Sequence, residues 1–339
     1  MEHFHKIFLL LSLFPAFFSL SSAQISGVIN QYSEVISIDY ANSSVEVADP
    51  GFFNVDDRVL LIQMKGAQMV TTNNSFFGDV SNINGAGIYE MATVCDVIGN
   101  DVSFQYGIHN TYNPNAVSSP RIQLVKVYSG TNETVSGTVT ATPWNGATGG
   151  IVAIELTGTL TMNADIDVSE QGFRGGDQYD TPYECQWFTT HTSFFYGFNG
   201  GDLRAAKKGE GISEYISGME YGKGAQVNGG GGGNDHNAGG GGGGNFGFGG
   251  NGGTRNAPGF FDCKGNHPGL GGEGLVAFGY SALNNHVFLG GGGGSGEDNN
   301  NESHNGGNGG GLVLIIADQI EGNANAIVSN GGTAQDSDS

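Results

Sequence analysis

Residues 229–253 read GGGGGNDHNAGGGGGGNFGFGGNGG, and a second glycine-rich stretch, GGGGGSGEDNNNESHNGGNGGG, runs from Gly290 to Gly311. Glycine makes up 62 of the 339 residues, well over twice the roughly 7% that is usual in soluble proteins. Flexible linkers are usually unpatterned Gly/Ser mixtures. The first stretch contains no Ser, carries Phe246 and Phe248, and has strand-like sequence on both sides. The composition therefore favours an ordered structure, and a flexible linker is the alternative.

An ordered glycine tract has a demanding energetic requirement. Fixing the backbone of each Gly costs about 0.5–1 kcal/mol more than fixing Ala. Backbones without side chains can run side by side in extended, polyproline-II-like paths and bond each other through N–H and C=O groups. Dense backbone hydrogen bonding and close packing are thus expected wherever these glycines are ordered.

Charge and length limit the classes of function. The formal net charge is −21, the isoelectric point is near 4.4, and there are only 12 Lys and Arg residues. Nucleic-acid binding needs concentrated positive charge, so this composition disfavours a nucleic-acid partner and attachment to anionic membrane by charge. A chain of this length holds one large domain or two or three smaller ones.

The N-terminus has the pattern of a secretory signal peptide over residues 1–23. A weakly basic start precedes an apolar run, and Ser21-Ser22-Ala23 supplies small residues before Gln24. The apolar run is shorter than the roughly 20 residues of a membrane anchor, and no other segment has a spanning pattern. We expect a mature chain that begins near Gln24, has no membrane-spanning segment, and is secreted or displayed at the cell surface in association with the outer membrane.

Three cysteines are present, and none forms a CxxC pair, so zinc and thioredoxin-type sites are not indicated. Cys185 and Cys263 lie in loop-like sequence, and an exported compartment permits a disulfide between them. This pairing and two free thiols stay open as alternatives. Cys95 alternates with apolar residues in a strand pattern, which predicts a buried free thiol.

Residues 24–143 predict a compact all-β unit, either a small barrel or a sandwich. Short runs with period-2 alternation and β-branched residues are separated by turn signals, and Gly99-Asn100 suits a hairpin turn. The predicted core is Val59, Leu61, Val94, Val102, Phe104, Leu124 and Val127. The predicted strands are Val35–Asp39, Ser44–Val47, Arg58–Met64, Tyr89–Val97, Val102–Tyr106, Gln123–Val127 and Thr134–Thr140.

Residues 144–339 predict a glycine-rich, parallel β-solenoid-like domain, because the segment 149–172 returns in related form from Gly310. With a one-residue gap, Ile151-Val152 aligns with Leu312-Val313, Ile154 with Ile315, Leu160 with Ile320, Asn163-Ala164 with Asn323-Ala324, and Val168-Ser169 with Val328-Ser329. Such a repeat is typical of stacked β-strands. We expect the domain to continue beyond residue 339 in a longer protein.

An aromatic insert at 173–226 and the glycine tracts at 229–253 and 290–311 separate the two copies. Long loops often carry function. The rings of Tyr183, Trp187, Phe195 and Tyr196 are candidates for binding carbohydrate. The alternative, which we favour, is that these rings cap the end of the solenoid and cover glycine backbones.

Metal and catalytic signals are weak. Residues 293–298 match the front half of a calcium-binding nonapeptide repeat without its apolar residue, so Glu297, Asp298 and Glu302 are weak Ca²⁺ candidates and solvated turns are the stronger interpretation. The paired carboxylates Asp165 and Asp167, with Asp177 and Asp180 nearby, suit acid–base cleavage of polysaccharide. Close acidic pairs are also expected by chance among 33 acidic residues, so we predict no catalytic residues and no cofactor.

Four phrases together resemble the glycine-rich, adhesin-like exported proteins of Bacteroidota, large surface proteins associated with gliding motility and type IX secretion. The phrases are VLLIQMKGA (59–67), the run from WNGATGG to NADIDVSEQGFRGG (144–176), RAAKKGEGI (204–212) and NGGGGGNDHNAGGGGGGNFGFGGNGG (228–253). The resemblance covers nearly all of the mature chain. It implies export, surface display or release, and a structural or adhesive role, and it provides no catalytic residues. The C-terminal sorting domain of that group is missing, so the chain is a fragment or its export differs.

The sequence therefore predicts a non-enzymatic, exported, adhesin-like protein that attaches to surface polysaccharide or other cell-surface components. A secreted polysaccharide-degrading β-helix enzyme, a glycosidase or a lyase, is the alternative. A passive spacer for a distal domain is a third hypothesis.

Overall fold

The structure is a computed structural model that describes residues 23–113, 115–116, 119–180, 195–197, 205–213, 216–254, 267–280, 285–298 and 304–334. It confirms the all-β class: the regular elements are strands, joined by two short 3₁₀ helices at Pro50–Phe52 and Leu275–Phe278. The strands are β1 (Ala23–Val28), β2 (Gln31–Asp39), β3 (Ser44–Val47), β4 (Arg58–Lys65), β5 (Gln68–Met69), β6 (Val80–Asn82), β7 (Tyr89–Ile98), β8 (Asp101–Phe104), β9 (Arg121–Lys126), β10 (Tyr128–Gly130), β11 (Glu133–Thr140), β12 (Ile151–Leu156), β13 (Thr159–Met162), β14 (Ile166–Asp167), β15 (Tyr179–Asp180), β16 (Glu297–Asp298), β17 (Leu312–Ile316), β18 (Gln319–Glu321) and β19 (Ile327–Val328).

Six antiparallel strands close into a barrel in the order β2-β3-β8-β7-β4-β9. The hairpin between β7 and β8 turns at Gly99-Asn100, where Gly99 has a φ of 61°. The barrel interior is filled by side chains, because inward positions alternate with outward ones along each strand. The predicted core residues Val59, Leu61, Val94, Val102, Phe104 and Leu124 all lie in this interior, whereas Val127 packs in a second cluster outside the barrel.

Strand β4 is buried on both faces, as its continuous apolar run indicates. Val59 and Leu61 point into the barrel, and Leu60 and Ile62 point outward. The outward residues join a shared core that also contains Phe173, Ile212, Phe288 and Leu289 from the rest of the chain. The barrel and the glycine-rich part are therefore packed through one continuous apolar core.

Parallel strands stack in three tiers beside the barrel. The first tier is β10 and β11, the second is β12, β13 and β14, and the third is β17, β18 and β19. The repeat alignment predicts the pairs that form: Ile151 with Leu312, Val152 with Val313, Ile154 with Ile315, and Leu160 with Ile320. Both copies of the repeat thus supply neighbouring strands of the same parallel sheets.

The last aligned pair is wrong by one residue. Val328 lies opposite Asp167, not opposite Val168. Thr161 pairs with Glu321 and Ile166 pairs with Ile327, so the third tier has one residue more than the second between these two pairs. Asn323 and Ala324 adopt φ values of 46° and 65° in this connection. The extra residue is accommodated in this left-handed turn, so the strands return to register one position later.

The expectation that Thr134–Thr140 belongs to the N-terminal unit is corrected. This segment is β11, which pairs in parallel with β13 and β14 on one side and with β1 on the other. Parallel neighbours need a long crossover connection, and the whole barrel forms the connection between β1 and the first tier. The N-terminal strand therefore lies in the parallel sheet.

Cys95 is an exposed free thiol, so the prediction of a buried one is wrong. The pairing of β7 with β8 shifts register between Val94 and Asp96, with Cys95 at the irregularity. An extra residue at a bulge is left out of the ladder and interrupts the alternation of inward and outward side chains. The period-2 pattern that predicted burial does not hold there.

The glycine tracts form a bundle of extended segments, called here the glycine bundle: residues 172–176, 205–211, 228–233, 239–244, 249–253, 269–272, 290–295 and 306–310. Segment 290–295 shows the pattern. Gly291 and Gly294 donate to segment 239–244, Gly292 and Ser295 donate to 205–211, and Gly290 and Gly293 donate to 306–310. Successive residues of this segment thus donate to different neighbouring segments, and the same neighbour recurs at every third residue. Three residues per turn is the repeat of a polyproline-II helix.

Close packing explains why glycine is needed in the bundle. A Cβ atom added at Gly291, Gly292 or Gly294 would lie closer than 3.0 Å to a carbonyl oxygen of a neighbouring segment, a distance that real Cβ atoms do not show. The φ angles of these three residues are not in the positive range. The requirement is therefore the absence of a side chain rather than a left-handed backbone, and the described parts of both tracts are ordered.

Candidate functional site

The sequence-predicted carbohydrate residues separate into two groups. Tyr183 and Trp187 lie outside the described residues. The backbone oxygen of Phe195 accepts hydrogen bonds from Lys223 N (3.1 Å) and Asn234 Nδ2 (2.8 Å). The ring of Tyr196 is half-buried, with Lys223 Nζ 4.5 Å from its centroid. These contacts place Phe195 beside Lys223 and Asn234 and the ring of Tyr196 beside Lys223. The interpretation of the four rings as a cover over glycine backbones stays a prediction.

The weak Ca²⁺ candidates are not assembled as a site in the described residues. The carboxylate of Glu297 is buried, and its Oε2 accepts a hydrogen bond from Asn237 N at 2.6 Å. Asp298 follows it in β16, which pairs with β15, and Glu302 lies outside the described residues. In the ranges described, no group of three or more His, Cys, Asp or Glu side chains is placed to hold a metal ion.

The acidic pair Asp165 and Asp167 supports backbone turns. Asp165 Oδ1 accepts a hydrogen bond from Ala326 N at 2.7 Å, and Asp167 Oδ1 accepts one from Ser169 N at 2.8 Å. Asp177 forms an ion pair with Lys207, and Asp180 lies in β15. The candidate disulfide partners Cys185 and Cys263 lie outside the described residues.

An aromatic tip stands out at one end of the glycine bundle. It comprises residues 245–248, with sequence NFGF, between the bundle segments 239–244 and 249–253. These two segments are joined by hydrogen bonds from Gly242 N to Gly250 O (2.8 Å) and from Gly239 N to Gly253 O (2.9 Å). The chain therefore leaves the bundle, turns at the tip and returns beside itself.

The tip is held from below by backbone and ring contacts. Asn245 O accepts from Leu275 N at 2.6 Å, and Asn245 Nδ2 donates to Phe288 O at 3.2 Å. The ring of Phe246 meets the ring of Tyr280 edge-on at 6.0 Å, and Tyr280 lies 5.3 Å from the buried ring of Phe288. Aromatic pairs at such distances attract beyond simple area burial, so the tip is fixed to the shared core.

Two phenyl rings nevertheless remain in solvent at the tip. Phe246 is 59% exposed and Phe248 is 80% exposed, and the neighbouring Val276 is also exposed. Residues 238–254 contain no charged side chain, although the chain as a whole carries a net charge of −21. The sequence showed these two rings as an unusual feature of the tract, but only the structure shows that both point outward from an ordered frame.

A charge cluster around the largely withdrawn side chain of Glu210 joins the bundle to the barrel. Glu210 accepts from Lys65 Nζ at 2.5 Å, from Trp144 Nε1 at 3.0 Å and from Arg174 Nε at 3.1 Å. Burial by itself raises the pKa of Glu210, but the charge and hydrogen bond of Lys65, together with Arg174, lower it to about 2. Glu210 is thus held as a carboxylate that connects the end of β4 to the bundle.

Lys208 is buried beside this cluster. Its ammonium donates to Gly224 O at 2.6 Å and to Tyr196 O, and it lies 4.0 Å from the ring centroid of Phe77. Burial lowers the pKa of Lys208 well below its usual value. Within the phrase RAAKKGEGI, Lys208 is buried and the side chain of Glu210 is largely withdrawn from solvent.

No family model, no curated protein and no solved structure matches this chain. Among the residues that the structure describes, none belongs to a helix with the length and apolar character needed to cross a membrane.

Proposed function

We propose that this chain is the rigid part of an exported, adhesin-like surface protein, and that the aromatic tip attaches it to neutral polysaccharide. The observation that carries the proposal is the exposure of Phe246 and Phe248 on an ordered frame. Apolar side chains of this size each gain about 1.5–3 kcal/mol when they are buried. Two such rings, two residues apart in the same tip, offer apolar surface for a ligand to cover.

Rigidity supports a binding role for the tip. Aromatic side chains on a flexible loop lose conformational entropy when they bind, which reduces affinity. Here the backbone on both sides of residues 245–248 is hydrogen-bonded into the bundle, and the ring of Phe246 rests on Tyr280. The tip is therefore preorganised, and little ordering remains to be done when a ligand arrives.

Charge favours a neutral ligand. An acidic polymer would meet the overall charge of −21, and a tip without cations offers it no compensating contact. The C–H face of a neutral pyranose ring is apolar and can pack flat on a phenyl ring. Cellulose-, chitin- or glucan-like surfaces therefore match the tip better than uronic-acid polymers do.

The remainder of the chain supports display of the tip. We interpret the three tiers as part of a β-solenoid-like domain, to which the barrel and the glycine bundle add a broad, packed base. The signal-peptide pattern supports export to the cell surface or the medium. The role is proposed as binding without catalysis, since Asp165 and Asp167 serve as acceptors for backbone N–H groups.

Binding to immobilised glycans tests the proposal. The purified mature chain is applied to cellulose, chitin, β-glucan, alginate and polygalacturonate, and cell attachment is measured with beads that carry the protein. We expect retention on at least one neutral glycan, and we expect the double variant Phe246→Ala/Phe248→Ala to lose roughly tenfold or more in affinity.

A matched control is available in Phe76, a phenyl ring that is 62% exposed in the segment between β5 and β6 and is not one of the tip residues. Phe76→Ala should bind like the wild type. Equal binding by the tip variant and the wild type, or retention on acidic glycans alone, would show that the tip is not the attachment site.

A further inference from the structure

Among the described residues, the third tier is an outermost layer of the parallel stack and has open strand edges. Strands β17, β18 and β19 each pair with the second tier on one side, and no further strand among the described residues pairs with their other side. Unpaired N–H and C=O groups along such an edge are a template for another strand. The edge is continuous across both parallel sheets, because all three strands belong to the same tier.

Residues at the same register position in successive tiers form columns, and two apolar columns run up to this edge. The last side chain of each column is not covered. Leu160 is fully buried, and its partner in the tier above, Ile320, is 47% exposed. Ile166 is fully buried, and its partner Ile327 is likewise 47% exposed. The third tier therefore carries apolar side chains in the same columns as an internal layer, and these side chains are half exposed.

The usual protection of an exposed edge is weak here. Solvent-facing edges commonly carry Lys, Pro or inward-pointing charge, which prevents pairing with other chains. Residues 312–334 contain no Lys, Arg or Pro, and their charges are limited to Asp318 and Glu321. This composition is typical of an edge that is covered.

The opposite end of the stack is the strand β1, which pairs with the first tier through β11. Two columns run through all four layers. One contains Gln24, Thr134, Thr161 and Glu321, and the other contains Gly27, Val139, Ile166 and Ile327. The stack therefore begins with small or neutral side chains and ends with bulky or acidic ones in the same columns.

We propose that a second copy of this chain docks head-to-tail, with its β1 placed on the third tier of the first copy. In this register Ile327 meets Gly27 of the next copy, where no atom lies within 4 Å of the Cβ position. Glu321 meets Gln24 of the next copy, whose amide can donate to the carboxylate. The next copy also has a groove of about 480 Å³ beside its β10, lined in part by Tyr128 and Ser129. This groove leaves room for β17 of the first copy.

Charge selects this arrangement over pairing of two third tiers. Two third tiers face to face would bring the Asp318 and Glu321 carboxylates of both copies together, and like charges across paired strands are destabilising. The β1 residues of the expected mature chain, 24–28, carry no charged side chain. Docking of unlike surfaces does not close on itself, so the product is an open head-to-tail chain of copies.

Sedimentation and light scattering of the purified mature chain test the proposal. The wild type should show mass that rises with protein concentration in multiples of the monomer mass. A monomer at all concentrations up to roughly 100 μM would mean an association too weak to matter and would overturn the proposal.

Two edge variants test the direction of docking. Ile327→Lys places a charge on the third tier, and Val28→Lys places one on β1, where Val28 is half exposed. Each variant alone should lose roughly tenfold or more in association, because an unpaired charge would be buried at the contact. An equimolar mixture should form one-to-one dimers through the one intact surface on each partner.

Ile98→Lys is the matched control, since Ile98 is exposed at the end of the barrel hairpin and remote in sequence from both edges. It should associate like the wild type, and all variants should keep the wild-type Tm. Self-association of Val28→Lys at wild-type strength would indicate pairing between two third tiers, and loss of association in Ile98→Lys would indicate another contact. Either result overturns the head-to-tail arrangement.

Discussion

Lys65 Nζ and Glu210 Oε1 lie 2.5 Å apart, although the two residues are separated by 145 positions in the chain. Lys65 ends β4 of the barrel, and Glu210 belongs to the glycine bundle. Both side chains are largely withdrawn from solvent. One ion pair thus joins the two parts of the molecule across their shared core.

Removal of the carboxylate should be costly. Glu210→Gln leaves Lys65 buried without its counter-charge, and the free energy of unfolding should fall by about 3–5 kcal/mol. Urea denaturation measures this change. The pair Arg121–Glu34, which is more exposed than Lys65–Glu210, provides the control, and Glu34→Gln should cost about 1 kcal/mol or less.

The double variant Lys65→Met/Glu210→Gln measures the interaction between the two side chains apart from their contacts with other residues. It should lose less stability than the sum of the two single variants, because no unpaired charge remains. A loss equal to that sum would contradict the pairing of the two side chains.

The Glu210 carboxylate also predicts acid sensitivity. Its folded pKa is lowered from 4.5 to about 2, so its stabilising contribution is present above pH 4.5 and disappears as the pH falls towards 2.

Glu273 should make stability depend on pH in the opposite direction. Burial, followed by a hydrogen bond and repulsion from Asp79, raises the pKa of Glu273 from 4.5 to about 7. The protonated form of Glu273 is favoured in the folded state. Its contribution to the free energy of unfolding is therefore fully present below pH 4.5 and is lost as the pH rises through 7. Because Glu273 is only partly buried, we expect about 1 kcal/mol, or about 2 °C in Tm, after allowance for solvent screening.

Glu273→Gln tests this dependence by thermal denaturation between pH 4 and pH 8. The variant should keep its Tm between pH 5 and pH 8 better than the wild type does. The same decline in Tm in both proteins would assign the effect to other groups.

Glycine substitutions should separate packed from open positions in the bundle. A Cβ atom at Gly294 would collide with Gly231 O, whereas the corresponding position at Gly250 has no atom within 4 Å. Gly294→Ala should lower the free energy of unfolding by about 3 kcal/mol or more. Gly250→Ala should leave it unchanged or raise it by about 0.4–1 kcal/mol, because Ala restricts the unfolded chain. Similar losses in both variants would contradict the packing of the bundle.

Substitutions within one apolar column should lower stability by amounts that differ between the second and the third tier. Leu160→Ala removes a buried side chain and should cost about 2–5 kcal/mol. Ile320→Ala removes its half-exposed partner and should cost about 1 kcal/mol in the monomer. Denaturation at low protein concentration measures both changes. Equal costs would show that the third tier is covered within the monomer.

Local signals were sufficient for the all-β class and for most of the tier register. The apolar bursts of the repeat predicted the pairs of Ile151 and Leu160, because identical patterns place equivalent side chains in the same column. The aligned pair at Val168 was wrong, since an additional turn residue changes register without changing the apolar pattern. Cys95 was misassigned for a related reason: a bulge interrupts alternation and leaves no sign in composition.

Contacts between distant segments were not predictable. The insertion of the barrel between β1 and the first tier, the Lys65–Glu210 pair and the outward direction of Phe246 and Phe248 all depend on how separate segments pack. One sequence shows which residues are apolar, charged or glycine, but it does not show which of many compatible partners each will meet.

The sequence by itself determined that this protein is built of strands and ordered glycine segments, because strand alternation and the absence of a side chain are local properties. Only the tertiary structure decided which segments lie side by side, since hydrogen-bond partners in the bundle and the tiers come from positions far apart in the chain. It also decided which apolar side chains stay in solvent, at the aromatic tip and on the third tier. Exposure depends on the neighbours that a residue receives, and those neighbours are set by the packing of the whole molecule.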